Sequence, residues 1–166
     1  CLGGDQVFAR VVDIRSWGEV DAWATEACSR GLVPDLVIAN AGKINDPAPL
    51  WEVPAAEFDA VLAVNVSGVA NTVRAFAPSM IRRGSGVLAG LSSGWGRFAS
   101  PDVAPYCASK FAVRGFSAGL RVELSDVGVG VTAVMPGAVR TRLLAAAPSR
   151  DLAMTARMSE LMMSYA

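Results

Sequence analysis

The sequence predicts an α/β fold with a parallel sheet, and three observations support this class. Short apolar runs of strand length alternate with segments whose apolar residues recur at helical spacing. The run 34–40 is continuously apolar, which is typical of a strand buried on both faces of its sheet. Glycine or small polar residues follow the strand runs, at the edge where parallel sheets bind ligands.

The first half of the chain is predicted to form two strands and two helices. The strands are expected at 7–14 and 34–40. Between them, the apolar residues of 20–27 recur at helical spacing, and Gly31 can end that helix. A long helix follows over roughly 55–83. One stripe of it carries Phe58, Leu62, Asn65, Val69, Thr72, Phe76 and Met80.

The second half continues the alternation of strands and helices. A buried strand is predicted at 86–93, a helix at about 104–126 and a further strand at 129–135, which the pair Pro136–Gly137 ends. A final amphipathic helix is indicated by Met154, Met158, Leu161, Met162 and Tyr165. Because strands alternate with helices, we expect one sheet that is covered by helices on both faces.

Composition and charge narrow the class of function. The 166 residues fit a single domain over 1–166, with 52% hydrophobic residues and a formal net charge of zero. A neutral chain is a poor candidate for nucleic-acid binding. No apolar run approaches the length of a membrane span. The chain has no histidine, so neither a Ser-His triad nor a histidine-based metal site can form.

The cysteines and the start of the chain indicate the compartment. Cys1, Cys28 and Cys107 are odd in number and widely spaced, which favours free thiols over a disulfide framework or a zinc site. No basic stretch followed by an apolar run opens the chain, so no secretion signal is indicated. We therefore expect a cytoplasmic protein without a metal site.

Tyr106 and Lys110 form the first candidate site. Lys110 is one of two lysines among 15 basic residues, and it follows Tyr106 by one helical turn, so the two side chains share a helix face. A nearby ammonium favours the phenolate and lowers the pKa of a tyrosine from about 10. Tyr106 could then serve as the acid or base of an alcohol–carbonyl interconversion. The alternative is an incidental pair on a surface helix.

Two further polar residues stand out. Ser93 follows a buried strand, where its hydroxyl could donate to a substrate oxygen or simply cap the strand end. Asn65 interrupts the apolar stripe of the long helix, and a buried amide must find hydrogen-bond partners. Asn65 therefore either bonds to nearby backbone groups or helps to hold a water molecule or Lys110.

Together these motifs resemble the short-chain dehydrogenase/reductase family in its single-domain form. "NAG" at 40–42, "VNVSG" at 64–68, Ser93, "YCASK" at 106–110 and "PGAVRT" at 136–141 occur in the order of that family. Ser93 precedes Tyr106 by the family's usual spacing of 13 residues. The resemblance covers residues 13 to about 145. It implies a Rossmann-type doubly wound parallel sheet and an enzyme that uses NAD or NADP to interconvert a secondary alcohol and a ketone.

The resemblance also implies a role for each matched position. Tyr106 is the acid or base, and Lys110 lowers its pKa and holds the nicotinamide ribose. Ser93 orients the substrate oxygen, and Asn65 maintains a proton-relay water. Asp13 matches an acidic residue that contacts adenine, while Asn40 also braces the sheet. The implied cofactor-binding residues are Asp13, Ile14, Asn40, Ala41, Gly42, Tyr106, Lys110, Pro136, Gly137, Val139 and Thr141.

One part of the family pattern is not found in the sequence. The glycine-rich phosphate loop, with its strand-helix-strand unit, does not precede residue 7, and the last strand is also not found. The family's strand order, 3-2-1-4-5-6-7, places the two absent strands between 7–14 and 34–40. We therefore expect a piece of a longer protein. The choice between NAD and NADP stays open, because the residues that set it belong to the absent unit.

Apolar and aromatic residues surround the implied site. Ser93, Trp95 and Tyr106 are expected to contact the substrate, with Phe98 close by. We expect a hydrophobic small molecule, over which a methionine-rich segment can fold as a lid. The alternative is that the methionine stripe belongs to the core. The stripe contains Met154, Met158, Met162 and Met163.

The sequence also leaves other functions to consider. The runner-up is a catalytically inactive, dehydrogenase-like scaffold for binding or regulation, although Asn65, Ser93, Tyr106 and Lys110 are all present. A cofactor-free dehalogenase would resemble a Ser-Tyr-Arg set, and enoyl-type reductases space Tyr and Lys more widely. A sugar-nucleotide epimerase would need a larger C-terminal domain. The resemblance finally implies a homodimer or homotetramer.

Overall fold

The structure is a computed structural model, and it describes residues 7–137. In this range strands and helices alternate as the sequence predicts. The helices are α1 (Trp17–Ser29), α2 (Ala55–Leu62), α3 (Gly68–Arg83) and α4 (Ala104–Glu123). The strands are β1 (Leu36–Ala39), β2 (Gly86–Leu91) and β3 (Val129–Val134). Short 3-10 turns cover Leu50–Glu52 and Gly94–Gly96. The predicted helix at Met154–Tyr165 lies outside the described residues.

The three strands form one parallel sheet in the order β1-β2-β3, which confirms the predicted parallel arrangement. Leu36 pairs with Val87, and Gly86 pairs with Val129. This register aligns the carboxyl ends of the strands along one edge. Residues that follow the strands are therefore brought together, as the sequence analysis expects.

The described helices cover only one face of the sheet. Val37 and Leu88 on that face pack against Ala24, Phe76 and Leu124 in the main core cluster. Leu36, Ile38, Val87 and Val134 on the opposite face are 39–55% exposed. The expectation of helices on both faces is therefore not met within residues 7–137. Right-handed crossovers between strands that are added in one direction place successive helices on the same face.

The predicted strand at 7–14 is wrong, because this segment has no regular secondary structure and ends in a turn. A strand needs a hydrogen-bonded neighbour, and within residues 7–137 no strand pairs with this segment. A cleft of about 490 Å³ separates Phe8 and Ile14 from the edge of β1. The family strand order places two strands in this position.

The long helix predicted at 55–83 is confirmed, with one irregularity. A π-helical turn, Ala63–Ser67, joins α2 to α3, and Asn65 lies at its centre. By length and hydropathy, Ala55–Arg83 could cross a membrane. It packs against β1 and β2 instead, and core helices of soluble proteins meet the same criterion.

Candidate active site

The candidate site lies at the carboxyl ends of all three strands. Hydrogen bonds extend the pairing of β2 and β3 beyond the strands: Ser92 N donates to Val134 O at 2.8 Å, and Gly94 N donates to Pro136 O at 3.0 Å. These bonds place Ser93 opposite the end of β3. The segment after β1 reaches the same edge and contributes Asn40–Gly42. The structure thus brings the three predicted strand ends together.

Tyr106 is buried at this edge. Its side chain is 5% exposed, and the Ser93 hydroxyl is close enough to influence its pKa. The Trp95 ring contacts Tyr106 edge-on, with ring centroids 6.0 Å apart. Burial raises the pKa of Tyr106 above its usual value of 10.0, and the polar hydroxyl of Ser93 opposes this effect. Tyr106 is therefore a neutral phenol at physiological pH.

Lys110 lies beside Tyr106 but does not dominate its titration. Its Nζ atom is 5.4 Å from the centroid of the Tyr106 ring and donates a hydrogen bond to Leu91 O at 2.8 Å. Burial lowers the pKa of Lys110 to about 8. The lowering of the Tyr106 pKa by Lys110 stays a prediction; in this structure the group that opposes the effect of burial on that pKa is Ser93.

Asn65 is fully buried, and its amide bonds to two segments. Its Oδ1 accepts from Lys43 N, and its Nδ2 donates to Lys43 O, each at 2.8 Å. The second Nδ2 hydrogen reaches Ser109 Oγ, also at 2.8 Å. The side chain therefore bonds to the backbone of the loop after β1, which was one of the two alternatives. The proton-relay water implied for Asn65 stays a prediction.

The loop Asn40–Gly42 approaches Lys110 through a glycine. A Cβ atom at Gly42 would lie 3.6 Å from Lys110 Nζ and 3.7 Å from Asn65 Oδ1, so a larger side chain here would enter the space beside the lysine. Asn40 itself is exposed. Its expected bracing of the sheet is not seen, because the β1 edge has no neighbouring strand within residues 7–137.

The predicted adenine-contacting segment is held against α3. Asn71 Nδ2 donates to Ile14 O at 3.0 Å and to Arg15 O at 3.2 Å. The Ile14 side chain packs on Gly68, where any Cβ atom would collide with it. The Asp13 carboxylate is bound by Arg15, which lowers the pKa of Asp13 to about 2.

Trp95 is placed differently from Phe98. Trp95 is 8% exposed and packs with Ile44, Val103 and Tyr106, so it supports the tyrosine ring from inside the fold. Phe98 is 57% exposed and free to contact a substrate. The predicted contact of Trp95 with substrate stays a prediction.

The sequence analysis did not identify the residues that hold the turn after β2 against α4. Ser92 Oγ donates to Lys110 O at 2.8 Å, and Arg114 donates to Gly96 O at 2.8 Å, so both join the turn after β2 to α4. A Cβ atom at Gly96 would lie 2.8 Å from Lys110 O. The small residues next to the motif positions were the available signal. Val139 and Thr141, which the sequence also assigns to the site, lie outside the described residues.

Comparison with known proteins shows the family to which this fold belongs. Residues 2–151 match the short chain dehydrogenase family, so the chain belongs to that family. The resemblance stated from the motifs is confirmed. Among curated relatives, an NADPH-dependent pterin aldehyde reductase of Arabidopsis thaliana is 43% identical over 132 residues, which are 80% of this chain and 54% of that protein. A 2,5-dichloro-2,5-cyclohexadiene-1,4-diol dehydrogenase of Sphingobium indicum is 33% identical over 148 residues, 88% of this chain and 58% of that protein.

Solved structures confirm the Rossmann-type fold class. A short chain dehydrogenase/reductase from Burkholderia phymatum in complex with NAD superimposes with a TM-score of 0.85 at 28% identity, covering 96% of this chain and 62% of that one. A gluconate 5-dehydrogenase from Burkholderia cenocepacia in complex with NADP and tartrate gives 0.79 at 32% identity, with coverages of 86% and 55%. The chain thus spans about half the length of these two curated relatives.

Proposed function

We propose that the protein is an NAD(P)-dependent oxidoreductase that interconverts a secondary alcohol and a ketone on a hydrophobic small molecule. The observation that carries this proposal is the placement of Lys110 Nζ 5.4 Å from the centroid of the buried Tyr106 ring, with Ser93 at the adjacent end of β2. All three side chains lie at the carboxyl edge of the parallel sheet. This constellation provides a proton donor and an oxygen-orienting hydroxyl side by side.

The residues present fit the nicotinamide half of such a cofactor. Gly42 leaves the space beside Lys110 Nζ free of side-chain atoms, and the Lys110 ammonium can donate to a ribose hydroxyl. Asp13 and Ile14 are proposed to contact the adenine, and Asn71 supports this segment through its hydrogen bonds to Ile14 O and Arg15 O. When bound, the cofactor supplies or accepts the hydride. Both NAD and NADP are consistent with these residues.

The proposed proton chemistry follows from the burial of Tyr106. A neutral phenol is the correct form to protonate a carbonyl oxygen as hydride arrives, and Ser93 can donate a second hydrogen bond to the same oxygen. Alcohol oxidation needs the phenolate instead. The positive charge of an oxidised nicotinamide and a protonated Lys110 both favour that form. Asn65 is proposed to maintain the water through which the proton is exchanged.

The substrate class is argued from the lining of the site. The core behind Tyr106 is apolar, with Ile44, Trp95 and Val103 packed against it, and the exposed Phe98 offers an apolar surface that a substrate can contact. We further propose that the protein self-associates, because Phe111 and Val122 on α4 are 41% and 78% exposed. A cytoplasmic location is proposed as well. A second candidate reaction is reduction of an aldehyde, which the name of the Arabidopsis relative favours.

A binding titration followed by turnover tests the proposal. NADH and NADPH are titrated into the purified protein while energy transfer from tryptophan to the reduced nicotinamide is recorded, and ketones and aldehydes of increasing apolar size are then added. Saturable binding with oxidation of the cofactor supports the oxidoreductase. If a folded sample binds neither cofactor, the scaffold alternative replaces it. Tyr106→Phe is the matched control, because it should bind the cofactor and fail to turn over.

A further inference from the structure

Ser109 connects the catalytic helix to the loop after β1. Its hydroxyl is fully buried and donates to Tyr106 O at 2.7 Å, one turn earlier in α4. The Ser109 Oγ atom also accepts a hydrogen bond from Asn65 Nδ2 at 2.8 Å. Because a serine hydroxyl has one hydrogen to donate, the bond to Tyr106 O leaves the oxygen free to act only as an acceptor toward Asn65.

This acceptor completes the hydrogen bonding of the Asn65 amide. The amide has two N–H groups, and Lys43 O takes one while Ser109 takes the other. The Asn65 carbonyl oxygen in turn accepts the Lys43 N–H. Without Ser109, one N–H of a fully buried amide would have no partner, which is a costly state that the side chain can relieve only by moving or admitting water.

The hydrogen bond between Ser109 and Asn65 lies next to Tyr106 and Lys110. Ser109 lies between Tyr106 and Lys110 in sequence, and Asn65 Oδ1 and Lys110 Nζ both lie within 3.7 Å of the position that a Gly42 Cβ atom would take. Holding Asn65 therefore also holds the loop Asn40–Lys43 against Lys110.

We propose that Ser109 is a positioning residue. By accepting from Asn65, it orients the amide that sets the distance between the loop Asn40–Lys43 and the Tyr106–Lys110 pair. The inference rests on the proposed function for its catalytic consequence, while its structural part stands on the hydrogen bonds alone.

The matched control is Ser79, which is also buried in a helix. Ser79 Oγ donates to Phe76 O at 2.8 Å, the same bond to the residue three positions earlier, but within residues 7–137 it forms no hydrogen bond to another element. Ser79→Ala therefore removes the intrahelical bond alone, and Ser109→Ala removes that bond together with the acceptor for Asn65. Ser109→Thr retains the hydroxyl, and Ser109→Cys replaces it with a slightly larger group that is a weaker acceptor.

The first readout does not depend on activity. Hydrogen exchange of the Lys43 amide, measured in the purified protein, should accelerate about tenfold or more in Ser109→Ala, since that amide donates to Asn65 Oδ1. Ser79→Ala should leave the Lys43 exchange rate unchanged, and Ser109→Thr should restore it. If Ser109→Ala does not fold, Ser109→Cys should show an intermediate rate. Equal Lys43 exchange in the two alanine variants would overturn the proposal.

The second readout separates positioning from stability. Ser109→Ala should lower kcat about tenfold and raise the KM for the cofactor, while Ser79→Ala changes neither. A Ser109→Ala variant that loses thermal stability but keeps wild-type kcat and KM would show a structural role only, against the proposal. If the wild-type protein has no oxidoreductase activity, the proposed function fails, and the exchange experiment still decides the role of Ser109.

Discussion

The ammonium of Lys110 donates a hydrogen bond to the carbonyl oxygen of Leu91, the last residue of β2, at 2.8 Å. Within residues 7–137 Lys110 forms no ion pair, although it is only 4% exposed. A strand end rather than a carboxylate therefore holds the lysine in place, and burial leaves its pKa at about 8. The charge of Lys110 is consequently sensitive to pH and to what binds beside it.

Stability should increase with pH because of Lys110. Its pKa is about 8 in the folded protein and 10.5 in its usual state, so between these values the unfolded chain binds more protons and the free energy of unfolding rises with pH. Tyr106 acts in the opposite sense above pH 10, since its pKa is raised. From pH 8 to pH 10 the contribution of Lys110 is about 2 kcal/mol. Urea unfolding across this range should show the rise in wild type and a flatter profile in Lys110→Met; parallel profiles would contradict the prediction.

Tyr106→Phe should remove the proton donor and little else. The ring keeps its edge contact with Trp95, so the melting temperature should stay close to wild type. Carbonyl reduction should slow by about 10²-fold to 10⁴-fold at saturating cofactor. Steady-state rates and cofactor titrations on the same sample check this. If the variant keeps more than half of the wild-type activity, Tyr106 is not the proton donor.

Gly96→Ala should weaken the contact between the turn after β2 and α4. The new methyl group would lie 2.8 Å from Lys110 O and would collide with Ser92, and both are parts of the contact between the turn and α4. The free energy of unfolding should fall by about 1–3 kcal/mol. The control is Gly115→Ala in the middle of α4, where an added Cβ atom would meet no other part of residues 7–137 within 4 Å beyond its own helix. This change should stabilise the protein by up to about 1 kcal/mol. Denaturant midpoints that move in the same direction for both would refute this account.

Asn71→Ala should weaken cofactor binding without changing the chemical step. It removes the hydrogen bonds to Ile14 O and Arg15 O that hold the segment proposed to contact adenine. We expect the KM for the cofactor to rise about tenfold with kcat within a factor of two or so, as for a loss of uniform binding. Thr72→Ala, which removes only the bond of Thr72 to Gly68 O within α3, serves as the control. A fall in kcat at unchanged KM would show that Asn71 acts elsewhere.

Some features of this protein can be predicted from the sequence because they depend on local pattern. Apolar spacing located α1, β1, the long helix, β2, α4 and β3, and the spacing of Tyr106 and Lys110 on one helix face requires only helical geometry. The motif order identified the family, since each motif is a string of neighbouring residues. The π turn around Asn65 and the hydroxyl of Ser109 were not predicted, because they matter through partners that are distant in sequence.

The segment 7–14 shows most clearly what a local sequence pattern cannot predict. Its alternation suits a strand, yet a strand exists only where another backbone pairs with it, and the sheet of residues 7–137 offers no such partner there. The charge states of the site depend on tertiary structure in the same way. The sequence by itself determined which groups are present and which helix face they share. Only the tertiary structure decided that burial raises the pKa of Tyr106, lowers that of Lys110 and leaves Ser93 as the opposing influence, because desolvation depends on what the whole fold packs around each group.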